Sequence, residues 1–142
     1  MAKSAQPGAR SRARELIVQS LYQMQITGHD EAELKAQFHE RPDYQRVDRQ
    51  YYDDLLGAII NRQAELEASI DKLADRHVAN LDPIEKSILL LGFHELTAAD
   101  DIPFKVVINE SVNLAKRFGA VDGHKYINAL LDRAAEELGT AT

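Results

Sequence analysis

The sequence predicts an all-α protein folded as a compact bundle of about seven helices. Three observations predict this class. Apolar residues recur at helical spacing along most of the chain, helix start and stop signals separate these stretches, and no internal repeat or low-complexity tract intervenes. We expect one helical domain over residues 11–138, with a flexible basic arm over 1–10 before it and a tail over 139–142 after it.

Helices 1 to 4 are predicted from apolar spacing and from their ends. Helix 1 covers residues 11–27, because its apolar side chains fall on one face and Gly28 ends the pattern. Asp30 and Glu33 form the reciprocal capping box that begins a short helix 2. The next apolar pattern is too long for an ordinary globular helix, so we expect a break near Asn61 that divides it into helices 3 and 4.

Helix 5 has the strongest start signal in the chain. Asp82 is suited to the N-cap, Pro83 occupies the first helical position, and Glu85 occupies the third. The apolar residues that follow surround the helix on most sides. Since a helix that is apolar all round must be covered by others, we expect helix 5 to be buried at the centre.

Helices 6 and 7 complete the bundle. The β-branched run at 106–108 resembles a strand, but Pro103 before it and Gly119 after it favour a helix. Helix 7 is predicted over 122–138, with Asp122 as its cap. Its predicted buried face consists of Tyr126, Ile127, Leu130, Leu131 and Ala134.

The composition excludes several kinds of chemistry. Without cysteine the chain has no disulfide, no thiolate metal site and no thiol nucleophile, which suits a reducing compartment. No apolar run approaches the roughly 18 residues of a membrane span, and no secretory signal is visible. We therefore expect a cytoplasmic protein that makes no contact with a membrane.

No catalytic motif has the spacing that it requires. His94 and Glu95 begin like the zinc-protease pattern, but Ala98 stands where the second histidine is needed. The glycines form no phosphate-binding or dinucleotide-binding loop, and the adjacent acid pairs cannot share one helical face. We expect no catalytic residue, no metal site and no cofactor.

The charge is unevenly distributed along the chain. The formal net charge is −6, yet residues 1–14 carry +4 and the remainder carries −10. Such asymmetry is typical of nucleic-acid or membrane contact, and a solvated terminus is the alternative. Cations at a helix start oppose the macrodipole, but they strengthen the anion-binding site that the free amides form there. The cations of residues 1–14 are Lys3, Arg10, Arg12 and Arg14, and we call these four residues the arm cations.

The arm and the start of helix 7 are both predicted to bind anions. Arg10 and Arg14 are four residues apart and share a helical face, whereas Arg12 points away. Lys125 lies in the opening turn of helix 7, and Tyr126 is available to stack on an unpaired base. Packing in the core is the alternative for Tyr126, and pairing with a neighbouring acid is the alternative for Lys125.

Three motifs carry a resemblance to a known family. They are "RARELIVQSLYQMQ", "DPIEKSILLLGFHEL" and "DIPFKVVINESVNLAKRFGAVDGHKYINALLD". Over nearly its whole length the chain resembles the NusB family of bacterial transcription antitermination factors. The resemblance implies two helical subdomains around a central helix, without catalytic activity. It also implies binding to boxA RNA together with NusE, the small-subunit ribosomal protein. The family joins RNA polymerase and other Nus factors during ribosomal-RNA synthesis.

The resemblance assigns roles to residues of this chain. It implies that the arm cations contact RNA phosphates, with Lys125 and Tyr126 beside them, and that Asp122 modulates RNA affinity. It places Tyr22 of helix 1 and Glu85 of helix 5 on the surface that binds NusE. Glu85 is also explained by its place in the first turn of a capped helix, and Tyr22 by packing.

Among the departures from the family's usual "S-H-K-F-V-N-G-V-L-D" pattern, Gly123 and Ala129 bear on the RNA site. Gly123 replaces the serine and removes a hydroxyl from the RNA site, and Ala129 replaces the glycine, which is expected to push adjacent helices slightly apart. Two other interpretations stay open. In the first, the chain is a helical interaction protein, such as a homodimer that buries its basic arm in an interface. In the second, it is a detached accessory module of a ribosomal-RNA methyltransferase.

Overall fold

The computed structural model describes residues 8–75, 80–98 and 101–139. The chain forms two compact units, of which unit 1 covers residues 1–61 and unit 2 covers 62–142. The described residues contain seven α-helices and one short 3-10 helix. This confirms the predicted all-α class, and the two units agree with the two helical subdomains that the family resemblance implies.

Unit 1 contains three α-helices and the 3-10 helix. They are α1 (Ala9–Thr27), α2 (Glu31–His39), the 3-10 helix (Pro42–Arg46) and α3 (Arg49–Asn61). Helix α1 begins at Ala9 and not at residue 11, because Gly8 adopts a left-handed conformation with φ 86° and its carbonyl accepts from the Arg12 amide at 2.9 Å. Arg10 therefore lies within the helix. Gly28 ends α1, and the capping box of Asp30 with Glu33 is present, as predicted.

The core of unit 1 is mainly apolar and contains a hydrogen-bonded pair of hydroxyls. The largest fully buried aliphatic side chains come from all three α-helices and are Ile17, Leu21, Leu34, Leu56 and Ile59. Tyr52 is also fully buried, and its hydroxyl lies 2.7 Å from Ser20 Oγ. Burial raises the pKa of Tyr52 well above its usual range. This hydrogen bond satisfies two buried hydroxyls and ties α1 to α3.

The described residues of unit 2 form four α-helices. They are α4 (Gln63–Leu73), α5 (Pro83–Ala98), α6 (Phe104–Phe118) and α7 (Gly123–Glu137). The break predicted near Asn61 is confirmed, because a turn at Arg62 separates α3 from α4. The predicted burial of helix 5 is also confirmed, since every residue from Ser87 to Glu95 is buried. No described helix is long and apolar enough to cross a membrane.

Gly92 allows α5 to lie close to both following helices. A Cβ atom built on Gly92 would lie 3.1 Å from Leu131 Cδ2 on α7 and 3.1 Å from Ser111 Oγ on α6. Such a contact is tighter than most real Cβ contacts, so a side chain at position 92 would force its neighbours to shift by a few tenths of an ångström. Ala129 is exposed, so the expectation that it pushes adjacent helices apart is wrong: the methyl group faces outward.

Candidate nucleic-acid interface

Arg10 and Arg14 meet the same aromatic ring. The guanidinium carbon of Arg10 lies 4.4 Å from the centroid of the Tyr51 ring, and that of Arg14 lies 5.4 Å from it. Arg14 Nη2 also donates a hydrogen bond to the Tyr51 hydroxyl at 3.0 Å. Arg10 and Arg14 therefore lie on one face of α1, as predicted, and that face contacts Tyr51 of α3. We call Arg10, Arg14, Tyr51 and Asp48 the arginine–tyrosine cluster.

Asp48 joins the starts of α1 and α3 within this cluster. Its amide donates to the Ala9 carbonyl at 3.2 Å, and its Oδ2 lies 3.8 Å from Arg10 Nε. Its Oδ1 accepts from the Tyr51 amide at 3.1 Å, which is the contact of an N-capping residue. Asp48 thus caps the start of α3 and partly neutralises the charge of Arg10 in the first turn of α1.

The three arginines differ in their exposure. The Arg10 side chain is 51% exposed, and the Arg12 side chain is exposed with no ion pair or hydrogen bond to the described residues. Arg14 is only 4% exposed, so it holds α1 against α3 and offers little surface to a ligand. Lys3, the fourth cation of the predicted arm, lies outside the described residues. RNA contact by these residues stays a prediction.

The start of α7 differs from its prediction. Asp122 has a left-handed backbone with φ 71°, and its side chain makes no capping hydrogen bond, so the prediction that Asp122 caps this helix is wrong. Left-handed backbone turns the side chain away from the amides, and the Asp122 carboxylate instead lies 3.3 Å from Lys125 Nζ. The alternative of an acid partner for Lys125 is therefore correct. Tyr126 is half-buried, and its phenol oxygen is buried.

The two residues predicted to bind a protein partner lie in different units. Tyr22, in unit 1, is 39% exposed, and Ile26 one turn later is 59% exposed. These residues make an exposed apolar pair on α1, of which sequence reasoning named only the first. Glu85, in unit 2, lies in the first turn of α5 with its carboxylate next to Gly123.

Sequence reasoning also missed Tyr51 and Asp48. An aspartate three residues before Tyr51 is a recognisable cap signal for α3, but nothing local connects either residue to α1. The arginine–tyrosine cluster arises from the packing of two helices. The contacts between its members are therefore visible only in the fold.

His94 is a buried histidine of unit 2 that contacts the partly exposed Arg62. It is 8% exposed, and its Nδ1 lies 2.9 Å from Arg62 Nη1, which donates to the neutral imidazole. Burial and then the Arg62 charge lower the pKa of His94 to about 4, while Glu65 acts in the opposite direction. Arg62 Nη2 also donates to Glu65 at 2.8 Å, and this contact lowers the pKa of that carboxyl. Among the described residues no group of three His, Asp or Glu side chains is placed to hold a metal ion.

The fold places the chain among small all-α proteins of known structure. It matches the solved structure of NusB from T. maritima with a TM-score of 0.78 and 26% identity, over 90% of this chain and 91% of the other. It also matches a chain in the structure of antitermination factors NusB and NusE with double-stranded RNA. There the TM-score is 0.75 and the identity 20%, over 89% and 96% of the two chains. At that identity the likeness concerns the fold.

The chain belongs to the NusB family. The family model matches residues 11–136. The transcription antitermination protein NusB of Ralstonia nicotianae is 43% identical over 136 residues, which are 96% of this chain and 88% of the relative. The protein of the same description from Thiobacillus denitrificans is 44% identical over 131 residues, with 92% and 90% covered.

Proposed function

We propose that this chain is a transcription antitermination factor that binds boxA RNA together with NusE and joins RNA polymerase during ribosomal-RNA synthesis. The observation that carries the proposal is the family match over 11–136, because its relatives at 43% and 44% identity are antitermination proteins. The solved assembly of NusB and NusE with double-stranded RNA supports it through the shared fold. The protein acts in the cytoplasm and catalyses no reaction.

In unit 1, Arg10 and Arg12 supply the phosphate contacts. Both are exposed, and both follow the start of α1, where free amides and the helix dipole add to the attraction for anions. Arg14 acts differently, because its buried guanidinium holds Tyr51 and thereby the ring on which Arg10 rests. Two exposed cations give weak and salt-sensitive binding, which is why a partner with further RNA contacts is needed.

In unit 2, the start of α7 supplies the second contact. Lys125 is exposed, but the nearby Asp122 carboxylate reduces its positive field. Removal of that charge is therefore expected to strengthen RNA binding, in agreement with the modulating role that the family resemblance implies for Asp122. The buried phenol oxygen of Tyr126 favours packing over stacking for this ring.

The proposed surface for NusE includes the exposed apolar pair of Tyr22 and Ile26. Aromatic and aliphatic side chains that are exposed one turn apart lose water when a partner covers them. An Ile26→Ser substitution removes apolar surface without touching the buried core. We expect it to weaken NusE binding and to leave RNA binding by the protein alone unchanged.

The test is fluorescence anisotropy with a boxA strand and a scrambled strand, with and without NusE. The variant is Arg10→Ala/Arg12→Ala, which removes two exposed cations and leaves buried Arg14 in place. The matched control is Lys72→Ala/Lys116→Ala, which removes two exposed cations of unit 2.

Preference for boxA, tighter binding with NusE and loss of affinity only in the arginine variant would support the proposal. Each lost phosphate contact reduces the slope of log K against log salt by about 0.7 to 1, so the arginine variant should lose about 1.4 to 2. Equal and weak binding of both strands, with or without NusE, would refute the proposal. Equal losses in the two variants would refute the assigned role of Arg10 and Arg12.

A further inference from the structure

The Arg10 guanidinium lies between a tyrosine ring and an aspartate. Its central carbon is 4.4 Å from the centroid of the Tyr51 ring, and its Nε is 3.8 Å from Asp48 Oδ2. The second distance is too long for a hydrogen bond, so Asp48 acts on Arg10 through its charge. The ring attracts the cation through its quadrupole, which also uses no hydrogen bond. Neither contact takes up an N–H donor of Arg10, whose side chain is half exposed.

The Asp48 carboxylate is fixed beside Arg10 by the start of α3. Its Oδ1 accepts from the Tyr51 amide at 3.1 Å, while its Oδ2 faces Arg10. The Asp48 amide also donates to the carbonyl of Ala9, the residue before Arg10, at 3.2 Å. One oxygen of the carboxylate therefore caps α3 and the other faces the arginine. While the cap is formed, the negative charge stays beside Arg10.

The capping contact of Asp48 requires an oxygen acceptor and not a negative charge. Asn and Ser are favoured at the N-cap as Asp is, because any of these side chains can accept from the amide three residues later. The charge of Asp48 has a second effect that capping does not account for. It lowers the positive potential around Arg10, on the exposed side of the arginine–tyrosine cluster.

We propose that Asp48 sets the strength with which Arg10 binds RNA phosphate, because its carboxylate competes with the phosphate for the guanidinium. The inference rests on the proposed function, in which Arg10 contacts RNA phosphate. Phosphate contacts carry no sequence information, so Asp48 weakens the binding of every RNA by the same factor. Asp48 thereby lowers non-specific binding and leaves the preference for boxA unchanged.

The test is RNA binding by Asp48→Asn and by Asp48→Ser, which both remove the charge and keep an oxygen for the cap. The probes are a boxA strand and a scrambled strand at low salt, measured by fluorescence anisotropy without NusE. We expect each variant to bind both strands about two- to fivefold more tightly than the wild-type protein does. The gain should shrink as salt rises, because salt screens exposed charges. Urea unfolding checks that both variants keep the fold.

Two controls separate this effect from a general change of charge. Asp43→Asn removes an acid that lies 3.0 Å from Arg41 Nη2 in unit 1, so it changes the net charge equally and releases an arginine outside the cluster. We expect no gain from it. The second control places Asp48→Asn in an Arg10→Ala background. There the gain should disappear, whereas a purely structural role of Asp48 would give the same change with or without Arg10.

A gain that requires Arg10 and is the same for both strands supports the proposal. The proposal is overturned by unchanged binding in either neutral variant of Asp48, by an equal gain in Asp43→Asn, or by a gain that persists in the Arg10→Ala background. If the wild-type protein prefers neither strand, the proposed function fails, and the effect of Asp48 on both strands still decides the inference. If neither strand binds to any of these proteins, both are refuted.

Discussion

Replacement of Arg14 and of Arg12 by alanine should separate stability from RNA binding. Arg14 is buried and donates to the Tyr51 hydroxyl at 3.0 Å, whereas the Arg12 side chain is exposed. A hydrogen bond that involves a charged group contributes about 1.5 to 3 kcal/mol, and Arg14→Ala also loses the packing of the aliphatic stem. We expect the free energy of unfolding to fall by about 2 to 3 kcal/mol for Arg14→Ala and by less than about 0.5 kcal/mol for Arg12→Ala.

The assay is urea and thermal unfolding followed by the helical circular dichroism signal. For a chain of this size 1 kcal/mol lowers Tm by about 2 to 4 °C, so Arg14→Ala should melt roughly 4 to 12 °C earlier. Tyr51→Phe removes the acceptor alone, and a double-mutant cycle with Arg14→Ala then measures the coupling. Equal stability of the two arginine variants, or a smaller salt slope for Arg14→Ala than for Arg12→Ala, would refute the separate roles.

Three further predictions concern stability. The pKa of His94 is about 4 in the fold and about 6.5 when unfolded, so the unfolded state binds more protons between these values. Stability should therefore fall by about 2 to 3 kcal/mol as pH drops from 6.5 towards 4, and His94→Gln should reduce this loss in pH-dependent urea titrations. Gly92→Ala should cost about 1 to 3 kcal/mol by overpacking against Leu131 and Ser111, and a Tm equal to wild type would contradict it. Asp30→Ala should cost about 1 kcal/mol by removing the cap of α2, with a lower urea midpoint as the readout.

The ends of most helices could be predicted because their signals are local. Gly28 ends α1 by its left-handed backbone, and Asp30 accepts from the amide three residues later. Asp82 begins α5 through amides two and three residues on. The same logic failed at Asp122, since residue type does not determine whether the backbone before a helix is left-handed.

The candidate site could be predicted only in part, because its contacts are tertiary. The sequence indicated cations at the start of α1, but Arg14 meets Tyr51 across 37 positions of sequence, and this contact decides that Arg14 is buried. The sequence indicates only a lost hydroxyl at Gly123, whereas in the fold the Glu85 carboxylate lies against this residue. Neither the Arg14–Tyr51 contact nor the Glu85–Gly123 contact can be predicted from residue spacing within one helix.

Each compact unit is built from one uninterrupted stretch of chain, and this has a consequence for synthesis on the ribosome. Unit 1 ends at Asn61, so every residue of its core has been translated before unit 2 begins. At about 5 to 20 residues per second, translation of residues 62–142 takes roughly 4 to 16 s. Helical units with mostly local contacts close in microseconds to milliseconds. Unit 1 can therefore fold during translation, and Arg14 can form its hydrogen bond with Tyr51 before unit 2 has been completed.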